Sequence, residues 1–303
     1  MNMNNWLLLL LLSFLWGGSF FFVEVALTEL PIFTIVFLRV SMGAAILFVF
    51  ILLTNRRIPG DRKMWFNFLV MGILNNVIPF CMITGGQQFI SGGFASILIS
   101  TTPFFGVVVA HLLTKDERIN AGKILGVVLG LSGVSILIGF APLRDGSNEF
   151  IGIIAVLGAA LSYAFAGVWG KRFRSLGVDS VVIAAGQLIC STILLIPIMS
   201  IADKPWLLPV PSINVWGSVL GIALLSTSFA YIIYFKILST SGATKVLLVT
   251  FLIPVSANLL GVLILSEEFH IQHLLGMFVI GIGLIVMDAS DRVKISQKEA
   301  VES

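Results

Sequence analysis

Arg39 is a lone cation inside an otherwise apolar run, PIFTIVFLRVSMGAAILFVFILL. A guanidinium costs at least roughly 3 kcal/mol at the centre of a membrane helix, and helices that keep one usually face a polar cavity or pathway. Its chemistry there is to hold a carboxylate, of a solute or of the protein itself. Neutral polar residues are scattered through the other apolar runs: Trp16 and Ser19 around Gly17–Gly18, Asn75–Asn76, Ser100–Thr101, then Tyr163, Gln187 and Tyr231. Such groups exchange hydrogen bonds with a solute without moving protons, so they suit recognition better than turnover. Pro79, Pro103 and Pro254 each remove a backbone donor from an apolar run and mark candidate hinges.

Each of these residues has a plainer reading. Arg39 falls eight residues beyond Pro31, roughly 12 Å along a helix, where it either lines a pathway or pins carbonyls or a nearby acid such as Glu24. The two glycines after Trp16 serve close helix contact as readily as ligand approach. Ser100, Thr101 and Thr102 precede Pro103, and hydroxyls beside a membrane proline often satisfy the carbonyl it frees. Gly122, Gly126 and Gly130 form a small-residue stripe in the fifth run, suited to packing within the repeat, the favoured reading, or to a homodimer face.

The elements that position these groups are apolar runs near 6–27, 31–53, 64–86, 91–113, 121–140, 150–170, 180–200, 213–237, 243–265 and 271–289. Each approaches the ~20 residues that cross a bilayer. The chain of 303 residues is 58% hydrophobic and only 11% charged, where a soluble domain carries about 25% charged residues. This is an all-α polytopic membrane protein with ten expected transmembrane helices. No run of residues is left for a soluble domain, and Cys81 and Cys190 fall inside apolar runs.

Lys and Arg set the orientation. With both termini cytoplasmic, the inner joints and tail hold fifteen of them, from Arg56 and Arg57 to Lys298; the outer joints hold only Arg144 and Lys204. That places the chain in the cytoplasmic membrane and accounts for its basic residues without nucleic acid. The acids cluster at run ends, among them Glu29, Asp203, Glu267 and Glu268, and the three histidines are scattered, so neither an enzyme's acid–base pair nor a metal or cofactor site is expected.

The chain also repeats itself. SFLWGGSF (Ser13–Phe20) lies over SYAFAGVW (Ser162–Trp169), Gly72 over Gly221, Phe80 over Phe229, Pro103 over Pro254 and Glu117 over Glu268. Five helices per half is odd, so residues 1–143 and 149–290 insert in opposite senses, followed by a short cytoplasmic tail, 291–303. Inverted repeats of this kind characterise secondary transporters, with the site at the midplane between them. The halves differ in their polar groups: Arg39 aligns with Gln187 and Trp16 with Phe165.

These motifs, from Trp16–Gly17–Gly18–Ser19 and Arg39 through Ala95, Pro103 and Glu117 to Gly126, Gly130 and Gly133, resemble those of the drug/metabolite transporter superfamily, in particular its EamA-type ten-helix bacterial members. The resemblance implies helices 1–4 and 6–9 around a central cavity, helices 5 and 10 outside it, and outward transport of small metabolites such as amino acids or related compounds. The expected partners are a small-molecule substrate and membrane lipid, with the chain a monomer or homodimer. The competing reading is a passive channel or a membrane receptor; no charge ring or filter motif supports a channel.

Overall fold

In the computed structural model, described for residues 3–114, 119–138, 148–241, 249–266 and 271–302, every regular element is helical among the described residues. Glu117, Arg144, Lys245, Glu267, Glu268 and the side chains of the tail lie outside the described residues. The helices are α1 (Met3–Ala26), α2 (Ile32–Leu53), α3 (Arg62–Gly86), α4 (Gly92–Leu113), α5 (Ala121–Ile138), α6 (Asn148–Ser175), α7 (Ser180–Ala202), α8 (Ile213–Ser241), α9 (Val249–Ile264) and α10 (Ile271–Glu302). Seven of them are long and apolar enough to cross a membrane; the apolar stretches Ala121–Leu137, Leu252–Ile264 and Ile271–Met287 are shorter. α10 runs as one helix through the stretch after residue 290 to Glu302.

The starts of the helices follow local chemistry. Asp61 accepts from the Met64 N–H at 2.8 Å, Ser91 from Phe94 at 3.2 Å and Asp179 from Val181 at 2.8 Å, each satisfying a donor left open in a first turn. α2 starts at Pro31, whose side chain cannot cap it, and Asp203 from the far half does so instead. Its carboxylate accepts from the Thr34 N–H at 2.6 Å and the Thr34 hydroxyl at 2.8 Å. Reciprocally, Glu29 accepts from the Ser212 N–H at the start of α8, at 2.6 Å. These caps tie the two halves together at one end of the bundle, and an Arg56–Asp179 ion pair does so at the other.

Two helices depart from α geometry at corresponding places. α3 contains a π segment, Ile73–Val77, directly after Gly72, and α8 contains one, Ile222–Phe229, directly after Gly221. A π turn widens the helix by one residue, and π turns are frequent at functional sites. Pro79 removes the N–H that would bond Asn75 in α geometry, which explains the first. In α8 the Ser228 hydroxyl donates to the Ala223 carbonyl, five residues back, at 2.9 Å.

Packing is pairwise. α5 and α10 pack mainly on each other, while α2 lies on α7, α3 on α6 and α7, α8 on α1 and α2, and α4 on α6 and α9. The α5–α10 seam is made by glycine: a Cβ at Gly126 would lie 2.7 Å from the Gly283 carbonyl, and one at Gly133 would lie 2.8 Å from Ile280. Of the stripe Gly122–Gly126–Gly130, Gly126 thus meets α10 of the other half, where packing within one repeat is expected from sequence, and Gly130 meets Phe104 of α4. Gly17 plays the same part for α9 on α1, a Cβ there falling 2.8 Å from the Ala257 nitrogen.

Candidate functional site

Arg39, seven residues into α2, is about 11 Å from that helix's start. Its Nε–H donates to Thr227 Oγ1 of α8 at 3.1 Å, and its guanidinium carbon sits 3.7 Å from the centre of the Phe80 ring of α3. The titratable groups facing it are the phenols Tyr163 of α6 and Tyr231 of α8. Among the described residues no carboxylate pairs with it; the ion pair the structure holds is Arg56–Asp179. Glu24, considered from sequence as its partner, instead accepts from the Gly92 N–H at 2.9 Å, at the start of α4.

Magnitudes show how a guanidinium persists there without an acid. A hydrogen bond to a charged group contributes about 1.5–3 kcal/mol, and a desolvated cation–π contact about 2 kcal/mol. Together they match the roughly 3 kcal/mol of placing arginine mid-membrane. They stabilise the charge and leave it in place.

Beside Arg39 lies a neutral triad. Asn75 Nδ2 donates to Gln187 Oε1 at 3.2 Å and to the Tyr231 hydroxyl at 3.3 Å, while Gln187 Nε2 donates to the same hydroxyl at 3.4 Å. The π segment of α3 carries Asn75 and Asn76. It sets Asn75 in the triad and sends Asn76, fully buried, to the Ser191 hydroxyl of α7 at 3.2 Å. Ser191 donates on to the Gln187 carbonyl at 2.7 Å, fixing the turn that carries Gln187. Gly72 permits this proximity, since a Cβ there would lie 2.8 Å from the Gln187 carbonyl.

The residues singled out from sequence therefore divide. Arg39, Asn75, Tyr163, Gln187 and Tyr231 converge, from α2, α3, α6, α7 and α8, and Asn76 supports them from behind. Trp16 flanks the group through Tyr234, with ring centroids 5.6 Å apart, one turn along α8 from Tyr231. Ser19 is buried on α1, with no side-chain hydrogen bond tying it to the group among the described residues. Ser100 and Thr101 are buried and donate to the Ile97 and Leu98 carbonyls, each at 2.6 Å. Their hydroxyls close the break in α4 before Pro103, which is the plainer of the two readings.

The prolines differ among themselves. α4 is interrupted at Ser100–Thr101 before Pro103, whereas α9 runs unbroken through Pro254. Asn258 Nδ2 donates to the Pro254 carbonyl at 2.8 Å and to the Gly93 carbonyl of α4 at 3.3 Å, bracing the two helices against each other.

Thr227 and Phe80 are the two contacts of Arg39 that reading the sequence missed as site residues. Both had a signal: Thr227 is the centre of three consecutive hydroxyl residues in an apolar run, and Phe80 follows Pro79 at a position repeated by Phe229.

The model of the EamA-like transporter family matches residues 4–139 and again 150–287. The chain belongs to that family. Among similar proteins, the uncharacterized transporter YoaV of Bacillus subtilis (strain 168) is 28% identical over 280 residues, covering 90% of this chain and 93% of its own. The uncharacterized inner membrane transporter YedA of Escherichia coli (strain K12) is 25% identical over 280 residues, covering 91% and 88%. An uncharacterized transporter of Archaeoglobus fulgidus is 22% identical over 288 residues, covering 94% and 99%. A solved crystal structure superposes with a TM-score of 0.67 at 18% identity, over 96% of this chain and 99% of that one, a likeness of fold alone. This EamA chain is a multi-pass membrane protein whose relatives are named transporters.

Proposed function

We propose that this chain is a secondary transporter that exports a small metabolite, such as an amino acid or related compound, by alternating access. In this reading ten helices cross the cytoplasmic membrane as two inverted five-helix repeats with both termini cytoplasmic. The observation that carries it is the guanidinium of Arg39 on α2, which no carboxylate meets among the described residues, set among polar groups from α3, α6, α7 and α8. A charge inside an apolar span, met by groups from both halves, is the pattern of a site between repeats.

The pairings of the helices support the same reading. Adding five to each helix number turns α3–α6 into α8–α1, α3–α7 into α8–α2 and α4–α6 into α9–α1, and leaves α2–α7, α4–α9 and α5–α10 unchanged. A two-fold relation between halves has that property. The matched π segments after Gly72 and Gly221 obey it too.

The test is uptake and counterflow of a panel of labelled amino acids and small metabolites in proteoliposomes, with and without a proton gradient, for the parent protein and Arg39→Gln. The expected result is saturable flux that trans substrate accelerates and that Arg39→Gln abolishes while the variant stays monodisperse. Flux that rises linearly with concentration and shows no counterflow would sink the carrier reading in favour of a channel.

A further inference from the structure

The site does not balance in charge. Arg39 donates to the neutral Thr227, covers the neutral Phe80 ring and faces Tyr163 and Tyr231, phenols whose ordinary pKa of about 10 keeps them uncharged near pH 7. The carboxylates that the sequence could have offered are engaged at helix ends. Glu24 holds the Gly92 N–H, Glu29 the Ser212 N–H, Asp203 the Thr34 N–H and hydroxyl, and Asp179 pairs with Arg56. Among the described residues, the Arg39 Nε–H bond to Thr227 is the hydrogen bond its guanidinium makes to the protein. Among those residues the terminal nitrogens, which form the planar fork that fits a carboxylate, are open to another partner.

We propose that the solute is a small monocarboxylate anion that serves as the counter-ion of Arg39, and that it crosses alone, so that each turnover moves one negative charge. This rests on the transporter reading above and names its substrate class and driving force. One negative charge neutralises the occupied site, whereas a dianion leaves an excess. A zwitterion brings its ammonium beside the guanidinium, where Asn75 Oδ1 is a neutral acceptor and no described carboxylate offsets the like-charge repulsion. The rings of Phe80 and of the Trp16–Tyr234 pair suit an apolar body behind the carboxylate. Among the described residues no carboxylate or histidine faces Arg39, so the groups described there include none of the usual proton carriers between two access states. With the cell interior negative, the membrane potential then drives such an anion outward.

The experiment uses three labelled solutes that share a branched chain and differ in charge: 4-methyl-2-oxopentanoate (anion), leucine (zwitterion) and 3-methylbutylamine (cation). They are followed in proteoliposomes clamped with potassium and valinomycin, with protein-free vesicles subtracted. The expected result is saturable flux of the oxo acid, whose steady-state ratio across the membrane shifts about tenfold for each ~60 mV. One charge through 100 mV is worth about 2.3 kcal/mol and a factor of ten about 1.36 kcal/mol. Arg39→Lys keeps that slope with weaker affinity, and monodisperse Arg39→Gln loses the flux.

Saturable flux of leucine or the amine in preference to the oxo acid overturns the inference and leaves the carrier standing. So does an oxo-acid ratio that follows an imposed pH gradient and ignores the potential. If none of the three is carried while another solute of the wider panel is, the inference again falls alone. Absence of saturable flux across that whole panel removes the transporter reading itself.

Discussion

Gly72→Ala should harm both the stability and the binding of this protein, for a reason that can be sized. Gly72 lies where α3 crosses α7, one residue before the π segment that carries Asn75. A Cβ at Gly72 would meet the Gln187 carbonyl at 2.8 Å and Ser191 Oγ at 2.9 Å, where ordinary contact begins at 3.4 Å. The serine hydroxyl can rotate away, but the carbonyl belongs to a helix backbone, so α3 and α7 must part by roughly 0.6 Å. Overpacking of this kind costs about 1–3 kcal/mol. The same displacement stretches the 3.2 Å Asn75–Gln187 hydrogen bond out of range. Gly217 on α8 is the control, since a Cβ there meets nothing within 4 Å, and alanine in its place gains up to about 1 kcal/mol of helix propensity. Heating detergent-solubilised protein and following the monodisperse peak should place Gly72→Ala below the parent and Gly217→Ala at or above it, with apparent substrate affinity reduced in Gly72→Ala alone. A Gly72→Ala variant as heat-resistant as the parent would refute the reasoning, because the required parting of α3 and α7 would then carry no cost.

At the α5–α10 seam, Gly133→Val should lower the same midpoint by more than Gly72→Ala does, since its Cβ meets the backbone of Ile280 and Gly276 within 2.9 Å; an unchanged midpoint would show that α5 and α10 are not in register as described. Thr227→Val removes the acceptor of the Arg39 Nε–H while keeping shape, and should weaken substrate affinity by about tenfold or more, in line with the 1.5–3 kcal/mol of a hydrogen bond to a charge; equal affinity in a counterflow titration would mean that Thr227 does not position Arg39. Burial raises the Asp179 carboxyl, but the Arg56 hydrogen bond and charge and the Val181 and Val182 N–H groups outweigh it and hold it below its ordinary range. A depressed carboxylate stabilises fully above its unfolded pKa of about 3.9 and loses that contribution as pH falls through the folded value. Asp179→Asn should therefore cost slight stability at pH 7, under about 1 kcal/mol for so exposed a pair, and the gap to the parent should close as pH falls below the ordinary carboxylate pKa of about 3.9; a gap that widens in acid would reverse the assigned sign.

What could be read from the sequence was whatever local chemistry enforces. An arginine in an apolar run has few places to go, and Arg39 duly meets residues from other helices. Gly72 and Gly221, aligned by sequence alone, turn out to precede the two π segments. Asp61, Ser91 and Asp179 cap the helices they precede because the open N–H groups of a first turn lie within reach. Long-range partners were hidden. Nothing local tells that Asp203 caps α2 across 169 residues, that Glu24 serves Gly92, or that Thr227 is the acceptor for Arg39. Ser100 and Thr101 are ambiguous in sequence because a hydroxyl before a proline suits a ligand and a backbone carbonyl equally well; in the structure their hydroxyls donate to the Ile97 and Leu98 carbonyls.

The prolines and the π segments show why the repeat is a better guide to backbone than to side chains. Pro103 and Pro254 align, yet α4 breaks before the first and α9 runs through the second, where Asn258 bonds the Pro254 carbonyl and reaches across to Gly93. The π segments are matched in place although only one stands beside a proline; α8 sustains its own with the Ser228 hydroxyl. Corresponding helices thus keep their wide turns by different chemistry, and those turns carry the residues that meet across the halves: Asn75 from α3, Thr227 from α8. A widened turn shifts every residue after it by part of a helical turn relative to α geometry. Tightening Ile222–Phe229 would therefore rotate Thr227 relative to Arg39, and tightening Ile73–Val77 would rotate Asn75 relative to Gln187. The two wide turns, more than the aligned prolines, are where a change of backbone would couple directly to the guanidinium.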